Sequence, residues 1–344
     1  MPDIGRTDGR RRSYWPVVVA AVLILGYGVV YSDPAGLALG VNIVVAAIAA
    51  VGLTLTIGTA GQLALGQAGF MAIGAYGTAY LMKDRGIPFL LAVPVSLVLT
   101  VLIGALVGYI ALRLKGNYLA MATLAVGSAI YALLVLPSLL GGANGYAPIP
   151  PPSLFGHLVI QSSSQFYLVA VVLVVVLIAT KWLLDSRPGR ELVAIRDDEV
   201  AARSVGINIT RRKVQIFAIT SLLGGLAGAL NAPIQTAIDP FLFSPSISLQ
   251  LFVMVILGGL GSIYGAVLGA ALVTWLITTV SGNGSWALTI LGAIVVVCMA
   301  VLPDGMAGIL RLVRRAMARS RRASPSGPDG APEPTDRPRE EAPA

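Results

Sequence analysis

A chain of 344 residues with a formal net charge of +8, 56% hydrophobic and 12% charged residues is too oily for an ordinary soluble domain. Its mean hydropathy of +0.83 agrees, and no Asp, Glu, Lys or Arg occurs between Pro240 and Pro303. One cysteine, Cys298, excludes a disulfide framework and a cysteine metal site, and basic residues gathered at the ends of apolar runs point to a membrane rather than to nucleic acid.

In chain order, a basic N-tail over 1–14 carries Arg6, Arg10, Arg11 and Arg12 and leads into the apolar run Trp15–Tyr31. No small-residue cleavage site follows, so this run reads as an uncleaved first helix. Leu37–Ile57 and Gln62–Met82 come next, separated by the glycine-rich GTAGQ, then Pro88–Leu112 and Asn117–Leu136. A loop over 137–164 contains GGANGYAPIPPP and the single histidine, His157, which reads as a polar loop residue. Gln165–Leu184 precedes a charged island over 185–213. Val214–Asn231, Ser248–Leu260, Ile263–Val280 and Trp286–Leu302 complete the runs. The remaining 304–344 is a basic segment with a Pro-rich polar tail, whose composition predicts disorder.

The runs are continuous rather than alternating, so the spans are helices and not barrel strands. The expected fold is an all-α polytopic membrane protein of about ten transmembrane helices, with 15–303 as the transmembrane domain. Placing both termini in the cytoplasm puts every Lys and Arg except Lys83 and Arg85 on the cytoplasmic side, as the positive-inside tendency requires. The loop 137–164 is then external and the island 185–213 cytoplasmic.

Neither a phosphate-binding loop nor an HExxH or CxxC motif is present. Proton-coupled carriers keep ionisable residues inside the bundle, and these spans have essentially none away from their ends. A sodium-coupled carrier stays open, because carbonyls at broken helices hold Na⁺, and so does a membrane scaffold. A pore driven by a separate ATPase needs no intramembrane charge, but it does need a cytoplasmic docking element. The stretch ELVAIRDDEVAARSVGINITRRK meets that need. Asp197 or Asp198 is suited to N-cap a short helix over Glu199–Val205, and Gly206 to end it in the left-handed region. Val200, Ala201, Ser204 and Val205 form a small-residue face, with Glu199 and Arg203 paired four apart. Insertion into a partner's groove and a plain surface helix both fit these residues.

Four blocks resemble the permease subunits of branched-chain amino acid ABC transporters, particularly the longer of the two paired permeases. They are GQLALGQAGFMAIGAY (61–76), LRLKGNYLAMATLAVG (112–127) with GGANGYAPIP, AIRDDEVAARSVGINITRRK (194–213), and VILGGLGSIYGAVLGA (255–270). Ala64, Gln67, Ser128 and Ala266 depart from the residues common in the family.

The resemblance implies a subunit of a heteromeric importer in a bacterial inner membrane. Its partners are a second permease, two cytoplasmic ATPases and an external solute-binding protein, and it has no catalysis or cofactor of its own. The implied solute is a branched-chain or other hydrophobic amino acid, with urea, short amides and small organic acids left open. Arg196, Asp197, Asp198, Glu199, Ala201, Ala202 and Gly206 are the implied ATPase-coupling residues. Gln62, Gln67, Asn117, Thr123 and Ser128 are candidates for the translocation path, although Gln62 and Gln67 equally suit bonds across helices. Gly61, Gly66, Gly69, Gly74 and Gly77 suit close helix approach, and Gly258, Gly259 and Gly261 a broken or sharply turned helix.

Overall fold

The computed structural model describes residues 15–31, 33–111, 114, 116–137, 140–154, 157–281 and 292. The N-tail, the expected span Trp286–Leu302 with Cys298 (apart from Gly292), the loop cations Arg113 and Lys115, and 304–344 lie outside the described residues.

Eleven α-helices are described: α1 Trp15–Val30, α2 Pro34–Thr54, α3 Gln67–Lys83, α4 Phe89–Ala111, α5 Asn117–Val135, α6 Ser162–Asp185, α7 Arg187–Asp197, α8 Glu199–Ser204, α9 Ile209–Gln235, α10 Pro245–Gly258 and α11 Ile263–Ser281. Five stretches are long and apolar enough to cross a membrane: Pro34–Thr59, Phe89–Ile110, Asn117–Val135, Ser162–Asp185 and Ile209–Gln235. Val17–Val30, Pro245–Gly258 and Ile263–Thr279 are shorter apolar helices. A helix rises about 1.5 Å per residue, so even upright these fall short of a hydrocarbon core of about 30 Å.

Helices α2, α3 and α9 form the centre. The most apolar windows of α2 and α9 are 67% and 61% buried, against 28% in α4 and 22% in α5. Helix α9 packs on α2, α3 and α4, α11 on α2 and α10, and α6 on α1 and α2. Along α4 the residues Leu91, Val95, Val98, Leu102, Leu106 and Tyr109 make an exposed stripe at helical spacing, as a lipid-facing surface does. Its opposite face is small. Positions Thr100, Gly104 and Gly108 meet Gly225, Ser221 and Phe217 of α9 in antiparallel register, so the two backbones approach closely.

At the end opposite α7 and α8, the loop between α5 and α6 carries a two-residue hairpin, β1 Ser153–Leu154 and β2 His157–Leu158. Tyr146 bridges Ile238 and donates its hydroxyl to the Asp84 carboxylate, while Lys83 Nζ donates to the Ala147 carbonyl at 2.7 Å. Burial, then the Asp84 carboxylate, pushes the Tyr146 phenol above its ordinary value. The loop is thereby tied to the last turn of α3 and to the exit of α9.

Candidate functional site: a capped surface helix on a broken-helix junction

Helix α7 begins after Ser186 with Pro188 in its first turn, where a missing N–H costs nothing. It buries Gly189, Leu192 and Ile195. Asp198 then ends α7 and N-caps α8, its Oδ1 accepting from the backbone N–H of Val200 at 2.7 Å and of Ala201 at 3.0 Å. Two otherwise unpaired donors are satisfied at once.

Gly206, at φ +81, closes α8. The Gly206 N–H bonds the Arg203 carbonyl and the Ile207 N–H bonds the Ala202 carbonyl, both at 3.1 Å. This is the paired pattern of a Schellman motif, with its usual apolar contact: Ala202 packs with Ile207, Ile195 and Ile209.

The short helix therefore has two distinct sides. Ala202, expected among the partner-facing residues, is 3% exposed and seated on its own chain. Val200 and Val205 are 80% and 75% exposed, with Ala201 and Ser204 also outward. Glu199 lies 4.0 Å from Arg203, as its spacing predicts, but its closer partner is Lys213 of α9 at 3.1 Å. Arg212 pairs with Glu191, so both short helices are fastened to the first turn of α9. Asp197 is exposed at the α7–α8 corner.

Beneath this platform two helices are interrupted. Helix α2 runs into a π-helical turn, Leu55–Thr59, and the chain is then unwound until α3 begins at Gln67, five residues later than the apolar pattern predicts. On the other side, α10 ends at Gly258, and Gly259 and Gly261 adopt φ of +102 and +87 before α11 starts. The two interruptions touch: a Cβ on Gly58 would lie 2.3 Å from the Gly261 nitrogen. The unwound Ala60, Gly61 and Gln62 and the platform's Asp197, Glu199 and Lys213 line a shared cleft of about 230 Å³, which Arg196 also borders.

The candidate path residues fall into different settings. Thr123 is 2% exposed. Its Oγ1 accepts from the Leu65 N–H at 2.9 Å and donates within α5 toward Leu119 and Ala120. It thus serves an N–H freed by the unwinding, as Ser248 does for Ala68 at 3.0 Å. Gln67, also 2% exposed, donates Nε2 to the carbonyls of Ala49 and Thr220 at 3.2 and 3.3 Å. Next to it Thr56 and Thr220 share a hydrogen bond, and Thr220 bonds the Gly52 carbonyl at 3.1 Å. Gln67 therefore lies in a buried polar knot joining α2, α3 and α9. Gln62 is buried, its Oε1 without a partner among the described residues. Asn117 is exposed at the start of α5, and Ser128 Oγ bonds the Leu124 carbonyl on its own helix at 2.9 Å. The geometry brings Thr123 to the unwound segment and Gln67 to the knot, and leaves Asn117 and Ser128 apart from both.

Thr56, Thr220 and Ser248 carry no signal in the sequence, and Lys213 stands there only as one member of the charged island. Each is a small polar or basic residue within or beside an apolar run, and its partner is distant in the chain.

Thr123→Val keeps the shape of the side chain but removes the acceptor for Leu65. An orphaned buried donor costs about 1–3 kcal/mol. The thermal unfolding midpoint of the detergent-purified chain is expected to fall by several degrees, with Thr123→Ser near wild type. An unchanged midpoint in Thr123→Val would show that the bond is replaced by water.

Residues 37–302 match the family described as the branched-chain amino acid transport system / permease component. The chain is 34% identical over 284 residues to the high-affinity branched-chain amino acid transport system permease protein LivM of Salmonella typhimurium, covering 76% of this chain and 67% of that one. Identity to the LivM protein of Escherichia coli is 33% over the same length and with the same coverage. A probable branched-chain amino acid transport permease protein LivH of Methanocaldococcus jannaschii is 26% identical over 283 residues, covering 76% of this chain and 87% of that one. No solved structure matches the chain.

Proposed function

Since the chain belongs to the branched-chain amino acid transport permease family, we propose that it is one of two permeases lining the path of an ATP-driven importer. The importer takes up branched-chain or other hydrophobic amino acids across a bacterial inner membrane. A second permease, two cytoplasmic ATPases and an external solute-binding protein complete it. Both termini and the α7–α8 platform face the cytoplasm, and the loop between α5 and α6 faces outside.

The observation that carries this reading is the form of α8. It is six residues long, capped at both ends, seated through Ala202, and presents Val200 and Val205 outward at 80% and 75% exposure. Two exposed valines on a short rigid helix surrounded by charge fit an apolar groove with a polar rim. Closure of the ATPases on ATP displaces this helix. The platform then transmits the displacement to α9 through the Lys213–Glu199 and Arg212–Glu191 pairs.

The test is uptake by proteoliposomes holding the chain with its co-expressed partner permease and ATPases, with the binding protein outside. Labelled leucine is expected to accumulate only with ATP. Accumulation of urea or acetamide in place of leucine would move the substrate to small polar solutes. Sodium-dependent uptake by the chain alone would make it a secondary carrier.

A further inference from the structure

We propose that Arg196 is a positioning residue that clamps the platform to the interruption of α2, so that movement of α8 reaches the unwound segment through one side chain. This rests on the coupling reading above and gives Arg196, an exposed residue, an inward contact through its guanidinium.

The π-helical turn explains why a clamp is possible there. In an uninterrupted α-helix the Gln62 N–H would bond the Gly58 carbonyl. Here it bonds the Thr56 carbonyl at 3.0 Å, and the Ala60 N–H bonds that of Leu55 at 3.2 Å. Gly58 is left with a carbonyl that its own helix does not use. Arg196, from the last turn of α7, donates Nη1 to that oxygen. A freed carbonyl inside a bundle must be satisfied by a neighbour, and an ionised donor makes the stronger kind of bond.

The same side chain touches all three parts of the junction. Its Cγ lies 3.0 Å from where a Cβ would stand on Gly61, which has φ +66 and turns the chain out of the helix. Its Nη1 lies 3.8 Å from the corresponding point on Gly261, in the turn between α10 and α11. Gly58 and Gly261 are themselves in backbone contact. One guanidinium therefore sits where two interrupted helices meet, one residue before the Asp197–Asp198 corner that starts α8. Arg196 also lines the cleft between the unwound segment and the platform, which gives the clamp room to shift.

Arg196→Met tests this, because it keeps the alkyl stem beside Gly61 and deletes every donor. In the reconstituted complex, ATP hydrolysis is expected to stay within about twofold of wild type while leucine uptake falls at least about tenfold. Arg196→Lys is expected to restore at least about half of the uptake. Hydrogen exchange on the purified chain gives a readout independent of transport: amides 56–62 exchange faster in Arg196→Met, while those of 199–205 are unchanged.

Three results would overturn the clamp. They are unchanged exchange at 56–62, uptake within twofold of wild type, and hydrolysis and uptake falling together, which marks a docking contact. Absence of ATP-driven uptake by the wild-type complex is a different failure, which removes the functional reading and the clamp with it.

Discussion

Gly228→Ala is expected to be among the most destabilising single-methyl changes in the described residues, with Gly74→Ala close behind. A Cβ on Gly228 would lie 1.9 Å from the Met71 carbonyl oxygen, and one on Gly74 2.0 Å from that of Gly225. Both clashes are with backbone, so no rotamer change relieves them and α3 must move away from α9. Overpacking costs typically 1–3 kcal/mol and occasionally more. Here about 3 kcal/mol or more is expected, because separation also stretches the bonds from Gln67 to Ala49 and Thr220. The measurement is the thermal unfolding midpoint and monodisperse yield of the detergent-purified chain. The double variant is expected to cost less than the sum of the singles, since one separation relieves both clashes. Gly26→Ala is the control: nothing lies within 4 Å of its Cβ position in α1, and alanine is the better helix former. A midpoint for Gly228→Ala equal to that of Gly26→Ala would mean that α3 and α9 are not in this contact.

Gly206→Val is expected to abolish coupling while leaving the bundle folded. Nothing lies within 4 Å of the Cβ position on Gly206, so the side chain meets no neighbour. The cost is in the backbone, which at φ +81 is strained for a β-branched residue by about 1–3 kcal/mol. That strain falls on the Schellman bonds to Arg203 and Ala202, which set the angle between α8 and α9. Solubilised yield and binding-protein docking are expected to stay near wild type, with transport-linked ATP hydrolysis lost. Asparagine tolerates the left-handed region, so Gly206→Asn is expected to recover most of the activity. Normal leucine uptake by Gly206→Val would show that the exit angle of α8 does not matter.

Most helix ends lie close to where the apolar pattern places them. The predicted Asn117–Leu136 and Ile263–Val280 became Asn117–Val135 and Ile263–Ser281. Such runs are bounded by Gly, Pro or charge, and the boundaries are local. The unwinding at 60–66 was not legible to its full extent. The residues AGQLALG are as apolar and small as a helix interior, and what holds them open is Thr123 and Ser248, 58 and 180 residues away from their partners.

Helix α7 had a local signal, a Pro in the first turn and Leu192 three residues before Ile195, but the charge of the island obscured it. The caps of α8 are legible because a cap is made of neighbours in sequence. The directions of Ala202, Arg196 and Gln67 were not, because spacing along a helix does not say which face meets the rest of the bundle.

The fastening of α7 and α8 to the start of α9 has a mechanical consequence. Twenty-seven residues at 1.5 Å each make α9 a rod of about 40 Å. It is held at both short helices by ion pairs and, somewhat before its middle, by the knot at Thr220. A tilt of about 5° around that knot moves the far end, where Gln235 bonds Asn42 at 3.2 Å, by roughly 2 Å given that rise per residue. The chain therefore has the proportions of a lever with a short driven arm and a long working arm. A small displacement at the driven end therefore arrives at the far end enlarged in the ratio of the two arms, carrying α3 with it at Gly225 and Gly228.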